Sequence, residues 1–115
     1  MSEQGTQEFI RARAFENEGA AAKDKVLWSR HAIAKLVAEG LHRANVESAL
    51  QTCQVIENYP TAGRPLPDCL VLGFWQGQPV HAVIAIDEDG ARTLVVTVYV
   101  PSIDRWENGW KARKG

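Results

Sequence analysis

Three side chains in this 115-residue chain have the chemistry of proton transfer or of holding a developing oxyanion: His31, His81 and Tyr99. An imidazole titrates near neutrality and so can give or take a proton in a reaction. His31 follows Ser29 closely, in the first turn of an expected helix. The positive end of a helix favours the neutral ring that a general base needs, and it also suits a phosphate. His81 sits in the alternating run VHAVIAI, and Tyr99 near the end of RTLVVTVYV. A phenol on a strand can donate a hydrogen bond to a phosphate or stack on a base. Three guanidinium groups are placed to hold an anion: Arg30 beside His31, Arg64 in the GRPLP loop, and Arg105 in TVYVPSIDRW. Each of these residues also has a structural reading. A half-buried histidine is satisfied by backbone, loop arginines are solvated, and a strand aromatic packs. His42 falls between two helices and carries no assigned role.

Several other chemistries find no pattern here. Neither HExxH nor paired CxxC is present, so no metal and no cofactor is expected. There is no glycine-rich phosphate loop and no nucleophile elbow. Cys53 and Cys69 lie in apolar patterns, which raise a thiol pKa, so both read as buried core thiols. The net charge of −1 argues against a protein that coats nucleic acid. The C-terminal end is locally basic, with Arg105, Lys111, Arg113 and Lys114 against Glu107. The opening MSEQGTQEFIRA is polar, and no apolar run approaches the roughly 18 residues of a spanning helix. No membrane partner and a reducing cytoplasm are therefore expected.

These residues must be positioned by the elements around them. Residues 2–24 form an Ala/Glu/Gln-rich lead, either helical or a flexible extension, with Phe9, Ala12 and Phe15 as its apolar stripe. It is the expected place for homo-oligomer contacts. Residues 25–115 read as a single α+β domain. VLW is a short strand. Ser29 caps a helix with Ile33, Leu36, Val37 and Leu41 at helical spacing, and Gly40 stops it. A second helix runs from Arg43 to Thr52, with Val46, Ala49, Leu50 and Cys53 apolar. VIENYP is a short strand or edge, TAGRPLPD a loop, and CLVLGFW, VHAVIAI and RTLVVTVYV a three-strand meander turned by QGQP and DEDG. Residues 102–112 close the chain as a short helix started by Ser102 or Asp104 and packed by Trp106 and Trp110. Strict alternation puts Val80, Ala82, Ile84 and Ile86 with Leu94, Val96, Val98 and Val100 under the helices. The second face then holds His81, Val83 and Ala85 with Thr93, Val95, Thr97 and Tyr99. Pairing through DEDG sets Ile86 near Arg92 or Thr93 and His81 opposite Val98 or Tyr99. The expected architecture is two helices on one face of a curved antiparallel sheet.

The succession SRHAIAKL, GL..ANVESAL, VIENYP, RPLPDCLVLG, PVHAVIAI and LVVTVYVPSIDRW resembles a bacterial family of uncharacterised small domains. Its members read H-A at the first helix, lHvv in the middle strand and TvY.P....W at the end, and the resemblance spans about residues 25–112. The order of elements is also similar to the RelE and BrnT group of toxin-like ribonucleases. That group sets helices against a curved sheet, carries basic and aromatic residues on the open face, and cuts RNA without metal by attack of the ribose 2′-hydroxyl. The resemblance implies His31 or His81 as acid and base, Tyr99 as an orienting or stacking group, and Arg64 or Arg105 on the phosphate. It also implies RNA and a cognate antitoxin protein as partners. Two other readings stand beside it: a non-catalytic protein-binding module on the same fold, and an enzyme acting on a small anionic substrate.

Overall fold

The computed structural model describes residues 1–59 and 65–115. Its elements run α1 (Glu3–Gly19), β1 (Val26–Trp28), α2 (Arg30–Glu39), α3 (Arg43–Leu50), β2 (Gln54–Tyr59), β3 (Asp68–Trp75), β4 (Gln78–Asp87) and β5 (Arg92–Tyr99). The fold is α+β, with an open five-stranded sheet in the order β1-β5-β4-β3-β2. Arg64 lies outside the described residues.

The sheet is mixed rather than wholly antiparallel. β2, β3, β4 and β5 form an antiparallel meander of four strands, and β1 joins its far edge parallel to β5, with Val26 beside Thr93. Antiparallel pairing is what short hairpins impose. No hairpin ties β1 to β5. The chain passes through two helices and three strands before the pairing is made, so its sense is set by tertiary packing.

The turns follow local chemistry. Gln76 (φ 48°) and Gly77 (φ 81°) make a two-residue hairpin between Trp75 and Gln78. At the other end Asp87 accepts from the Gly90 amide at 3.0 Å, and Ile86 pairs with Thr93. Ser29 Oγ accepts from the Ala32 amide at 3.0 Å, which satisfies a free donor at the start of α2. Gly40 closes α2 in the left-handed conformation at φ 68°.

All three helices cover one face. Ile10 and Ala14 of α1, Ala32 and Leu36 of α2, and Val46 and Leu50 of α3 meet Val26, Val55, Cys69, Val71, Val80, Ala82, Ile84, Ile86, Val95 and Val98. α3 sits so close to β3 that a Cβ on Gly73 would come within 3.1 Å of the Ala49 carbonyl oxygen. Two apolar stripes differ from the helical spacing read above. α1 buries Thr6, Ile10, Ala14 and Asn17, leaving Phe15 71 % exposed, and α2 buries Ala32 and Leu36, leaving Ile33 41 % and Val37 82 % exposed. In α1 the buried Ile10 and Ala14 are smaller than the exposed Phe15, whereas in α2 the exposed Val37 is smaller than the buried Leu36, so size alone does not decide which apolar residue turns inward. α1 also covers the β2 edge: Gln7 accepts from the Val55 amide at 3.0 Å, and Arg11 donates to the Cys53 carbonyl at 2.7 Å. An uncovered edge invites pairing with another chain.

A β-bulge changes which residues face which way. Val83 pairs with Thr97 but Ile84 pairs with Val95, so β5 carries one extra residue between them. Thr93, Val95 and Val98 are buried on the helix side, while Val96 and Leu94 line a trough on the opposite side with Thr97. Strict alternation, which had put Leu94 and Val96 under the helices, fails at that point.

The closing helix over 102–112 does not form. The Ser102 carbonyl accepts from Arg105 and Trp106, which makes a single turn. Gly109 (φ 95°) and Trp110 (φ 67°) then adopt left-handed backbone that no right-handed helix can pass through. Residues 105–114 instead form a small hairpin, with Glu107 N bonded to Ala112 O and Lys114 N to Arg105 O, both at 2.8 Å.

Candidate functional site

The face away from the helices carries three cross-strand rows. One is Tyr59, Asp68, Ala85 and Leu94; the next is Glu57, Leu70, Val83 and Thr97; the third is Leu72, His81 and Tyr99. The C-terminal hairpin lies over the third row. His81 has no exposed surface. Its ring meets Trp106 edge-on at 4.3 Å between centroids and Tyr99 at 5.3 Å.

The hydrogen bonds of His81 determine its tautomer. Nε2 lies 2.8 Å from the Trp110 carbonyl, which can only accept, so Nε2 carries the proton. In the neutral ring Nδ1 is then the acceptor, and the Tyr99 hydroxyl, 3.2 Å away, donates to it. Burial lowers the His81 pKa and favours that neutral ring, the Trp110 carbonyl pulls the other way, and the Arg113 charge adds to the lowering. Burial likewise raises the Tyr99 pKa. His81 is therefore fully engaged, and what it does here is hold Tyr99 and the hairpin together.

Arg113 makes the second tie. It donates to Glu57 from Nε at 2.9 Å and from Nη2 at 3.1 Å, and it stacks on Trp106 at 4.8 Å. Tyr59 donates to the same carboxylate at 2.8 Å. The Arg113 hydrogen bond holds the Glu57 pKa below its ordinary value, and burial with the neighbouring carboxylate pushes Tyr59 up to about 12. Arg113 is in turn held more firmly protonated by Glu57.

Beside this network opens a cleft of about 420 Å³, lined by Lys35, Tyr59, Val83, Tyr99, Arg105, Trp106 and Arg113. Lys35 reaches it from α2, and its ion pair with Glu39 is long at 4.0 Å. Among the described residues Arg105 has no acidic partner. His31 stands one helical turn before Lys35 on the same side of α2. It is exposed, and its Nε2 lies 3.0 Å from the Thr97 hydroxyl. Such a place can hold an anion between two cations and offer it an exposed imidazole.

Of the residues singled out from sequence, His81 and Tyr99 are cross-strand partners and Tyr99 and Arg105 line one cleft, while His31 does not line it but meets Thr97, the cross-strand partner of the cleft residue Val83. Arg30 is exposed at the start of α2 and does not line the cleft. Lys35, Glu57, Tyr59 and Arg113 join the site without having been named for it. Two signals could have found the first three. Lys35 is four residues after His31 in a helix, and Glu57 and Tyr59 are two apart in a strand, so each pair shares a face.

Cys53 and Cys69 are buried free thiols whose pKa burial raises to about 12. Among the described residues no three His, Cys, Asp or Glu side chains gather as metal ligands would. Nor is any helix long and apolar enough to cross a membrane.

Residues 28–100 match a protein family described as a domain of unknown function, DUF4258. The chain belongs to the DUF4258 family. No curated protein and no solved structure matches it. The matched span takes in α2, α3 and the four-strand meander, and with them His31, Lys35, Glu57, Tyr59, His81 and Tyr99. α1 and the hairpin bearing Arg105, Trp106 and Arg113 flank the DUF4258 span.

Proposed function

We propose that this DUF4258 domain binds RNA on its open sheet face and cleaves it without a metal, in the manner of RelE- and BrnT-type toxins. The observation that carries the reading is the 420 Å³ cleft in which Lys35 and Arg105 meet Tyr59 and Tyr99 beside the exposed His31. Cations interleaved with aromatic side chains on a sheet are what a single strand of nucleic acid requires. Lys35 and Arg105 hold the non-bridging oxygens of one phosphodiester. His31 takes the proton of the ribose 2′-hydroxyl, whose oxygen attacks phosphorus. The bond to the 5′-oxygen breaks, that oxygen takes a proton from water in the open cleft, and a 2′,3′-cyclic phosphate remains. His81 orients Tyr99 through its Nδ1 and does not touch the substrate. An antitoxin protein is the partner this reading calls for.

The deciding experiment is RNA cleavage by purified protein in EDTA, comparing wild type with His31→Ala and Arg105→Ala. The expected result is cyclic-phosphate ends from wild type and none from His31→Ala. Cleavage that survives His31→Ala would remove the imidazole from the mechanism. No cleavage by wild type would favour a second reading, a non-catalytic protein-binding module. That reading draws on the burial of His81 and on Ile33 and Val37, exposed side by side on α2. A stable complex with one protein and no turnover is its signature.

A further inference from the structure

A second depression adjoins the cationic cleft. It is a trough of about 450 Å³ walled by Val83, Ala85, Leu94 and Val96, and it shares Tyr59 and Val83 with the cleft. Both volumes fall within the roughly 300–1,000 Å³ of small-molecule pockets. The trough is a product of the β5 bulge, which turns Val96 onto this face beside Thr97. An apolar depression continuous with a cationic one suits a ligand that carries a flat, weakly polar group a short tether away from an anion.

We infer that the trough receives an unpaired nucleobase whose own phosphate lies against Lys35 and Arg105, so that the site selects single-stranded over duplex RNA. The inference rests on the RNA reading above and names the form of RNA it takes. Charge sets the direction. Lys35 and Arg105 line the cleft, so the phosphate lies towards α2 and the base in the adjoining trough. In a duplex the bases are stacked and paired inside the helix and cannot enter an aliphatic trough without unstacking. The trough walls are mostly aliphatic, so the base is held by contact area rather than by a hydrogen-bond pattern, and base identity matters little.

The test measures binding in EDTA of two short single-stranded chains of equal length and charge. One is an oligouridylate and the other its abasic counterpart, both 2′-O-methylated so that neither is cleaved. Wild-type protein is expected to bind the base-bearing chain about ten-fold more tightly or better. Lys35→Ala weakens both chains alike, and Leu94→Ser narrows the gap between them. Equal affinity of wild type for the two chains overturns the base site and leaves phosphate binding standing. Failure to bind either chain overturns the RNA reading itself. The wild-type comparison needs no variant to fold.

Discussion

The two faces of one sheet are built on opposite terms. The helix face is aliphatic from α1 to α3, with ten strand side chains packed against six from the helices. The other face buries an imidazole bonded to one phenol, sets a carboxylate beside another, and is covered at one end by a ten-residue hairpin, 105–114. The first face depends on contact area and the second on hydrogen-bond direction. Area is tolerant: a neighbouring aliphatic residue can take the place of the expected one, as Ala32 does for Ile33 beside the expected Leu36. Direction is not. His81 has one donor and one acceptor position, and Trp110 and Tyr99 use both. The stable face thus carries the fold, and the exacting face is where a ligand site can be arranged.

Four measurements would break or sharpen that contrast. The largest effect belongs to the open face. His31→Ala should reduce RNA cleavage by about 100- to 10,000-fold while leaving the unfolding midpoint close to wild type. Parallel cleavage and denaturant assays decide it, and a variant that loses both together would make His31 a packing residue.

Next comes the helix face. Ile10→Ala removes a side chain with no exposed surface and should cost about 2–5 kcal/mol by urea unfolding. RNA affinity measured well below the midpoint should stay unchanged. Little loss of stability would mean that α1 is only loosely docked.

The third concerns pH. The folded-state pKa of His81 lies below the unfolded value near 6.5, so the unfolded chain binds the proton more readily. Stability from this group is fully present above about pH 6.5 and falls as pH drops towards the folded pKa. Urea midpoints between pH 7 and 5 should show a slope that is reduced in His81→Gln. An identical slope in both proteins would place the pH dependence elsewhere.

The smallest effect is expected at Arg113. Its side chain is 59 % exposed, so water screens the Glu57 pair, and Arg113→Ala should cost no more than about 1 kcal/mol. The same change should leave the helix face untouched, since that face has no part in the pair. A loss of several kcal/mol would show that the hairpin and the sheet unfold as one unit.

Much of the fold was legible from residues alone because its signals are local. Ser29 and Gly40 mark the ends of α2 by their chemistry, and QG and DEDG turn strands whose side chains alternate. Pairing through DEDG also set His81 opposite Val98 or Tyr99, and the β5 bulge, which shifts the register by one residue, makes the partner Tyr99. The illegible parts are those where one residue's place depends on distant ones. The β5 bulge has no mark in RTLVVTVYV, because every residue there is at home on either face. The exposed Phe15 and Val37 are as apolar as the residues buried in their stead. The hairpin at 105–114 replaces a helix because left-handed Gly109 and Trp110 bring the Trp110 carbonyl to His81, a bond 29 residues long in sequence.

By itself, then, the sequence determined the α+β class, the caps, the tight turns and the antiparallel sense of the strands that hairpins join, all of them set within a few bonds. Tertiary structure alone decided the parallel seat of β1, the pairing of β2 with β3, the bulge that opens the trough, and the meeting of Lys35, Tyr59 and Arg105 around one cleft. Those features cost chain entropy that only packing between remote segments repays, and no short stretch of residues carries that sum.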